Sequence, residues 1–290
     1  MTPEEFERHR RTVQTPSGPV GYADTGGDGP PVLFLHGLAT SGYLWRHVVE
    51  RLDRRCVVPD LPLHGTTPAA PDQDFSLPGL ARFVGDFCDA LGLDGFHLVA
   101  NDTGGAIAQA FAARNAHRLA TLTLTNCETH DNLPPRALLP TIMLARAGLL
   151  ARTAPRMLRN LPRARRQVYG SGYQDVRTLP EDVVRAYLEP VFGTRESART
   201  FERFLLSLHA RDLLAIEPDL ARLHVPTLIV WGTADKFFSL KWAYWLRDTI
   251  PGATKVVELE GAKLFFPDER AADLAAALTA HWAARPGAAL

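Results

Sequence analysis

Phe96-His97-Leu98-Val99-Ala100-Asn101-Asp102-Thr103-Gly104-Gly105-Ala106-Ile107-Ala108 runs from an apolar strand pattern, through a turn carrying one acid, into a helix of small residues. It reads as a nucleophile elbow with Asp102 at the apex. Such a turn holds its central residue in a strained conformation and lifts that side chain out of the sheet toward a pocket. The glycines just after it let strand and helix approach closely. Serine is the usual occupant. An aspartate changes the chemistry, because a carboxylate attacks carbon to form an ester whose release needs a separately activated water.

On both sides of the elbow, short β-type runs alternate with helix-period segments, the pattern of a mostly parallel sheet covered on both faces. Strands are expected near Arg11–Thr15, Val20–Asp24, Val32–His36, Cys56–Pro59, Phe96–Ala100, Leu122–Thr125, Thr227–Trp231 and Lys255–Leu259. Helices are expected near Tyr43–Leu52, Leu77–Leu91, Gly104–Asn115, Leu240–Thr249 and Arg270–Ala284. The rhythm breaks between Leu133 and Leu223, where strands vanish and Pro, Arg and amphipathic patches take over. The chain therefore divides into an α/β core, 1–132 and 224–290, and a helical cap, 133–223, inserted after the sixth strand.

Composition narrows the function. The 290 residues carry 32 Lys+Arg against 32 Asp+Glu, so no global field points to nucleic acid or to a membrane surface. Cys56, Cys88 and Cys127 are far apart in apolar surroundings and read as reduced thiols, which fits a cytoplasmic protein. The start is acidic where a secretory signal is basic and then apolar, and Thr2 with Pro3 and Glu5 reads as a helix cap. No apolar run reaches the roughly 18 residues of a membrane span. Within the cap, Arg136, Arg146, Arg152, Arg156, Arg159, Arg163, Arg165 and Arg166 occur with no acid between Asp131 and Asp175. They read either as a solvated face or as a landing site for a carboxylate-bearing or carrier-linked ligand. The tail Pro286–Leu290 reads as loose.

Four ordered blocks carry a family resemblance: Leu33-Phe34-Leu35-His36-Gly37-Leu38 through Trp45-Arg46, Val58-Pro59-Asp60-Leu61-Pro62, Asn101 to Gly105, and Val225-Pro226-Thr227 through Thr233-Ala234-Asp235. Together they resemble the α/β-hydrolase superfamily, in its aspartate-nucleophile branch of haloalkane dehalogenases and epoxide hydrolases. The resemblance implies an α/β-hydrolase fold with a mostly parallel, eight-stranded sheet. It assigns His36 and Gly37 to loop geometry, and the N–H groups of Leu38 and Thr103 to an anion hole beside Asp102. Dehalogenases of this branch hold the leaving halide with side-chain donors where this chain has Leu38 and Thr103, so dehalogenation is disfavoured. Asp235, just past the seventh strand, is the candidate acid of the triad, ahead of Glu128.

One departure matters most. In Glu260-Gly261-Ala262-Lys263-Leu264-Phe265 the superfamily's Gly-x-x-His-Phe pattern puts its base at Leu264. Leucine cannot activate water. A relocated base would have to be Lys263, His64 in the loop after the fourth strand, or His130 at the cap entrance, with His209 a further histidine in the cap. Phe237, Leu264 and Phe265 suggest an apolar substrate pocket, and Tyr169 and Tyr173 are cap tyrosines of the kind that polarise an epoxide oxygen in this branch.

These residues favour an enzyme acting on a small hydrophobic molecule by non-hydrolytic acid–base chemistry of the cyclase, lyase or isomerase type, with Asp102 moving a proton. An epoxide hydrolase-like reaction with a relocated base is the second reading, and a non-catalytic ligand-binding protein the third. The expected partner is a small-molecule substrate, without nucleic acid or membrane, with homodimer formation open. No cofactor or metal is expected.

Overall fold

The computed structural model describes residues 1–284, so the expected loose tail lies outside the described residues. All eight expected strands form: β1 (Arg10–Thr15), β2 (Gly18–Asp24), β3 (Val32–Leu35), β4 (Cys56–Pro59), β5 (Phe96–Asn101), β6 (Leu119–Thr125), β7 (Thr227–Gly232) and β8 (Ala253–Leu259). They make one sheet in the order β1-β2-β4-β3-β5-β6-β7-β8. β2 pairs antiparallel with β1 and β4, and every pairing from β4 across to β8 is parallel. β3, β4, β5 and β7 are buried at every position, as strands covered on both faces must be.

The covering helices follow their sequence patterns. α1 (Pro3–Arg8) begins with the expected cap: Thr2 Oγ1 accepts the Glu5 N–H at 3.2 Å, and the Glu5 carboxylate accepts the Thr2 N–H at 2.7 Å. The helix expected over Tyr43–Leu52 is instead a 3₁₀ turn, Gly42–Trp45, followed by the single turn α2 (Arg46–Val49). α3 (Leu77–Ala90) buries Leu77, Leu80, Phe83, Val84, Phe87 and Cys88 along one stripe. α4 (Thr103–Asn115) has no such stripe; it is buried from Thr103 through Ala112 and relies on small residues to lie against the sheet. The three cysteines are buried and free, as expected.

Between β6 and β7 come α5 (Leu139–Arg146), α6 (Leu150–Thr153), α7 (Leu161–Tyr169), α8 (Glu181–Phe192), α9 (Arg195–Ser207) and α10 (Ala210–Leu220), with no strand among them. α5 through α9 pack chiefly on one another, whereas α10 packs on α4 and α3. The cap expected over 133–223 is therefore shorter by its last helix, which belongs to the core. Helical periodicity looks the same on either surface, so the sequence could not separate them. α11 (Lys241–Thr249), α12 (Phe266–Glu269) and α13 (Ala271–Ala283) complete the core.

One close backbone approach that positions the site lies at the start of α4. A Cβ on Gly104 would stand 2.5 Å from the backbone oxygens of both Leu35 and His36, which are main-chain atoms and cannot swing away. Gly104→Ala should destabilise the protein by about 1–3 kcal/mol, read as a lower denaturant midpoint with an unchanged slope. A neutral result would mean that α4 can slide off the sheet.

Candidate active site

Asp102 adopts φ 55°, ψ −137°, a conformation that non-glycine residues rarely accept, so the elbow expected from sequence is present in its strained form. Its own N–H donates to the Asn126 carbonyl at 2.9 Å, and its carbonyl accepts the Gly105 N–H at 2.7 Å. The side chain turns toward the loop after β3, where a Cβ on Gly37 would stand 2.1 Å from Asp102 Oδ2. Glycine is required there by the carboxyl itself. The Leu38 N–H donates to Asp102 Oδ2 at 3.0 Å, so the anion hole expected for a substrate oxyanion already holds the aspartate's own oxygen. Oδ2 is thereby fixed.

Glu128, which sequence reasoning ranked behind Asp235, stands beside the elbow. β5 and β6 pair in parallel with Asn101 opposite Thr125, so the chain leaving β6 runs past the turn leaving β5. Thr103 Oγ1 donates to Glu128 Oε1 at 2.8 Å, and buried Gln109 in α4 donates to the Glu128 carbonyl at 2.8 Å. Glu128 Oε2 is buried without a partner. Burial, and then the facing charge of Glu128, push the Asp102 carboxyl well above the usual carboxylate range, against the pull of the Leu38 and Thr103 N–H groups. Burial likewise pushes Glu128 up to about 7. Two like charges side by side in an apolar enclosure resist ionising together, so the pair retains a proton near neutrality.

Asp235 has a different neighbour from the one expected. Its Oδ2 accepts Asn126 Nδ2 at 2.7 Å and its Oδ1 accepts the Phe237 N–H at 2.8 Å. Asn126 in turn exchanges two hydrogen bonds with the Gly232 backbone. Asp235 thus fastens the end of β7 to the end of β6 and orients no imidazole. Burial pushes its carboxyl up to about 6.

The three relocated-base candidates are all engaged elsewhere. His64 accepts the Ala39 N–H on Nε2 at 3.1 Å, and its Nδ1 lies 3.0 Å from the Pro62 carbonyl, which leaves no lone pair for a water. Burial pushes it down to about 3. His130 pairs with Glu217 through Nδ1 and lies against Trp245 and Trp242, away from the cavity. Lys263 Nζ donates to the Tyr173 carbonyl at 2.8 Å. His36 has the loop role expected of it: Nε2 accepts the Leu61 N–H at 2.9 Å and Nδ1 lies 2.8 Å from the Gly37 carbonyl. His209 precedes α10 at the surface.

Asp102 and Glu128 face a cavity of about 630 Å³ between core and cap. Leu38, Phe237, Leu264, Phe265 and Tyr169 line it. Tyr173 does not; its hydroxyl donates to Asp268 at 2.9 Å behind the wall. Tyr169 donates its hydroxyl to the Ala39 carbonyl, so it offers the cavity no free O–H donor. Asn101 Nδ2 donates to the Leu264 carbonyl at 3.2 Å, pinning that residue beside the elbow. Among the described lining residues there is no histidine, and the one lysine, Lys236, is exposed. No group of three or more His, Cys, Asp or Glu among the described residues is placed to hold a metal ion.

A strained acid elbow on the central strand of this sheet, under a helical cap, defines a class. The alpha/beta hydrolase fold family matches residues 30–269, and the chain belongs to that family. It is 28% identical to haloalkane dehalogenase 2 of Mycobacterium tuberculosis (95% of this chain and 96% of the relative). It is also 28% identical to the cis-3-alkyl-4-alkyloxetan-2-one decarboxylase of Xanthomonas campestris pv. campestris, over 96% of both chains. Among solved structures, haloalkane dehalogenase DbeA from Bradyrhizobium elkani superposes with a TM-score of 0.77 at 26% identity, covering 96% of this chain and 99% of that one.

The raised titration of Glu128 has a stability consequence. An unfolded Glu ionises near 4.5 and the folded one near 7, so stability is lost as pH rises through that window. Glu128→Gln should therefore melt higher than the parent at about pH 8, by the equivalent of about 1–3 kcal/mol, with the gap closing toward about pH 4. Removing the facing charge should also lower the Asp102 titration, read by carboxyl ¹³C NMR. A gap that widens toward acid would contradict the assignment.

Proposed function

We propose that the protein is an enzyme that moves protons at a small hydrophobic substrate, with Asp102 and Glu128 as an acid–base pair and without a hydrolytic step. The observation that carries this reading is the pair itself: two buried carboxyls face one apolar cavity, and the resemblance puts the family's base at Leu264. With Oδ2 held by the Leu38 N–H, the other Asp102 oxygen is the one presented for proton transfer. Glu128 takes the complementary state, and the shared proton keeps one member acidic and the other basic near neutrality. The apolar walls favour a hydrophobic ligand that leaves the carboxyls desolvated. The Xanthomonas relative is named for a decarboxylation, which supports a non-hydrolytic reaction on this scaffold. Halide release from alkyl halides is not expected, because Leu38 has no side-chain donor and the Thr103 hydroxyl is committed to Glu128.

A second reading keeps Asp102 as a nucleophile, with Glu128 as the base. The unpartnered Glu128 Oε2 favours it, since a water between that oxygen and an Asp102 ester would have its proton acceptor in place.

Exchange into deuterated water separates the two. Hydrophobic ketones incubated with the enzyme should exchange their α-protons, and both Asp102→Asn and Glu128→Gln should lose at least about 100-fold of that rate. Epoxides incubated in ¹⁸O-labelled water should leave no adduct on Asp102 and give no labelled diol. A stable adduct, or label in the product without ketone exchange, would overturn proton transfer in favour of the ester route.

A further inference from the structure

Of the five large apolar side chains that stand exposed in the described structure, four fall within eleven residues of the cap: Leu139 (47%), Met143 (60%), Leu144 (43%) and Leu149 (40%). Leu139 and Met143 are one turn apart on the outer face of α5, while Ile142 and Ala145 face inward and are buried. An outward apolar face of this kind is unfavourable in water unless something covers it.

The flanking charge says what kind of surface would cover it. The α5 and α6 segments, Arg136–Arg146 and Leu150–Arg159, bend by 80° about the residues between them. They carry Arg136, Arg146, Arg152, Arg156 and Arg159, all exposed, with no acid anywhere from Arg136 to Arg159. Among the described residues none of these five forms an ion pair with Asp or Glu. Glu202, which reaches this region from α9, is buried and accepts the Ala151 N–H at 2.8 Å, so it does not neutralise the outer face. No single described helix is long and apolar enough to cross a membrane, and the bent pair cannot span one while Ile142, Ala145, Leu150 and Ala151 are packed in the cap.

The same segments form the outer wall of the Asp102 cavity. Leu138, Thr141, Leu144, Leu150, Thr153 and Met157 line it, and Leu144 belongs to both the cavity wall and the exposed patch. A molecule leaving an apolar phase at the patch would meet the cavity directly.

We propose that the α5–α6 face of the cap docks on an anionic lipid surface, with Leu139, Met143 and Leu149 entering the headgroup–acyl boundary and the arginines resting on the lipid charges. The enzyme then draws hydrophobic substrate from the bilayer through the mouth beside Leu144. This reverses the expectation, from balanced net charge, that no membrane is involved, because the charge is balanced over the chain but not over this face. The docking does not depend on which chemistry Asp102 performs.

Co-sedimentation of the full-length protein with vesicles tests it. Binding is expected to vesicles of phosphatidylcholine with about a third phosphatidylglycerol, at least about tenfold weaker to phosphatidylcholine alone, and weakened again between about 0.1 M and about 0.5 M salt. Leu139→Glu with Met143→Glu, and separately Arg152→Glu with Arg156→Glu, should each reduce binding at least about tenfold, with far-UV circular dichroism and melting temperature unchanged. Failure of the parent protein to bind anionic vesicles would overturn the proposal. So would unchanged binding by the folded variants. Sedimentation velocity supplies a third arm: a parent dimer that the apolar variant dissociates would assign the patch to a second copy of the chain.

Discussion

The cavity is organised by one constraint, a carboxyl locked in a conformation it would not choose. At φ 55° the Asp102 side chain points into the space left by Gly37, and its oxygen takes the Leu38 N–H. That hydrogen bond favours the charged form, while burial and Glu128 oppose it more strongly. Holding two such groups costs folding free energy. The rigid frame of parallel strands around the elbow, with β3, β5 and β7 buried at every position, sustains the cost.

The frame also decides what the histidines can do. His36 and His64 are close together, with ring centroids 5.5 Å apart, and each is buried and tied to backbone through both nitrogens. They brace the loops after β3 and β4, and burial keeps them neutral, with His36 pushed down to about 4. Asp235 is likewise spent on Asn126 and the turn toward Phe237. Leu264 is pinned by its carbonyl, which accepts from Asn101 Nδ2 at 3.2 Å. Among the described residues, Glu128 is the titratable neighbour with the largest electrostatic effect on Asp102, and one of its oxygens has no partner.

The strands and the elbow were legible in the sequence because both are local: β-branched and apolar runs mark buried strands, and an acid between a strand pattern and a Gly-Gly helix marks the turn. Glu128 was not, because its role comes from the parallel register of β5 and β6 and from a hydroxyl, Thr103, whose direction no pattern encodes. A β6-to-elbow alignment would have been the available signal, since Asn101 opposite Thr125 carries the following residues toward Asp102. Tyr173 failed as a pocket residue on similar grounds: helical spacing says that a cap tyrosine is near the core, but Asp268 decides which way its hydroxyl turns. The end of the cap was misplaced because α10 differs from its neighbours in what it touches, not in its pattern.

The cap is fastened asymmetrically around the cavity. The segment from Tyr169 to Asp175 is latched to the core by the Tyr169 hydroxyl on Ala39, the Phe265 N–H on the Gly172 carbonyl, Lys263 on the Tyr173 carbonyl, and the Glu269 carboxylate accepting the Gln174 and Asp175 N–H groups. No comparable polar latch joins α5 or α6 to the core among the described residues; their anchor, Glu202, lies within the cap. One edge of the cap is therefore fixed beside Leu264 and Phe265. The other is held to α9 by apolar packing and the buried Glu202–Ala151 hydrogen bond, so α5, α6 and α9 can shift against the core together without breaking it. The loosely held edge forms one wall of the cavity, and the Asp102 and Glu128 carboxyls lie against the core.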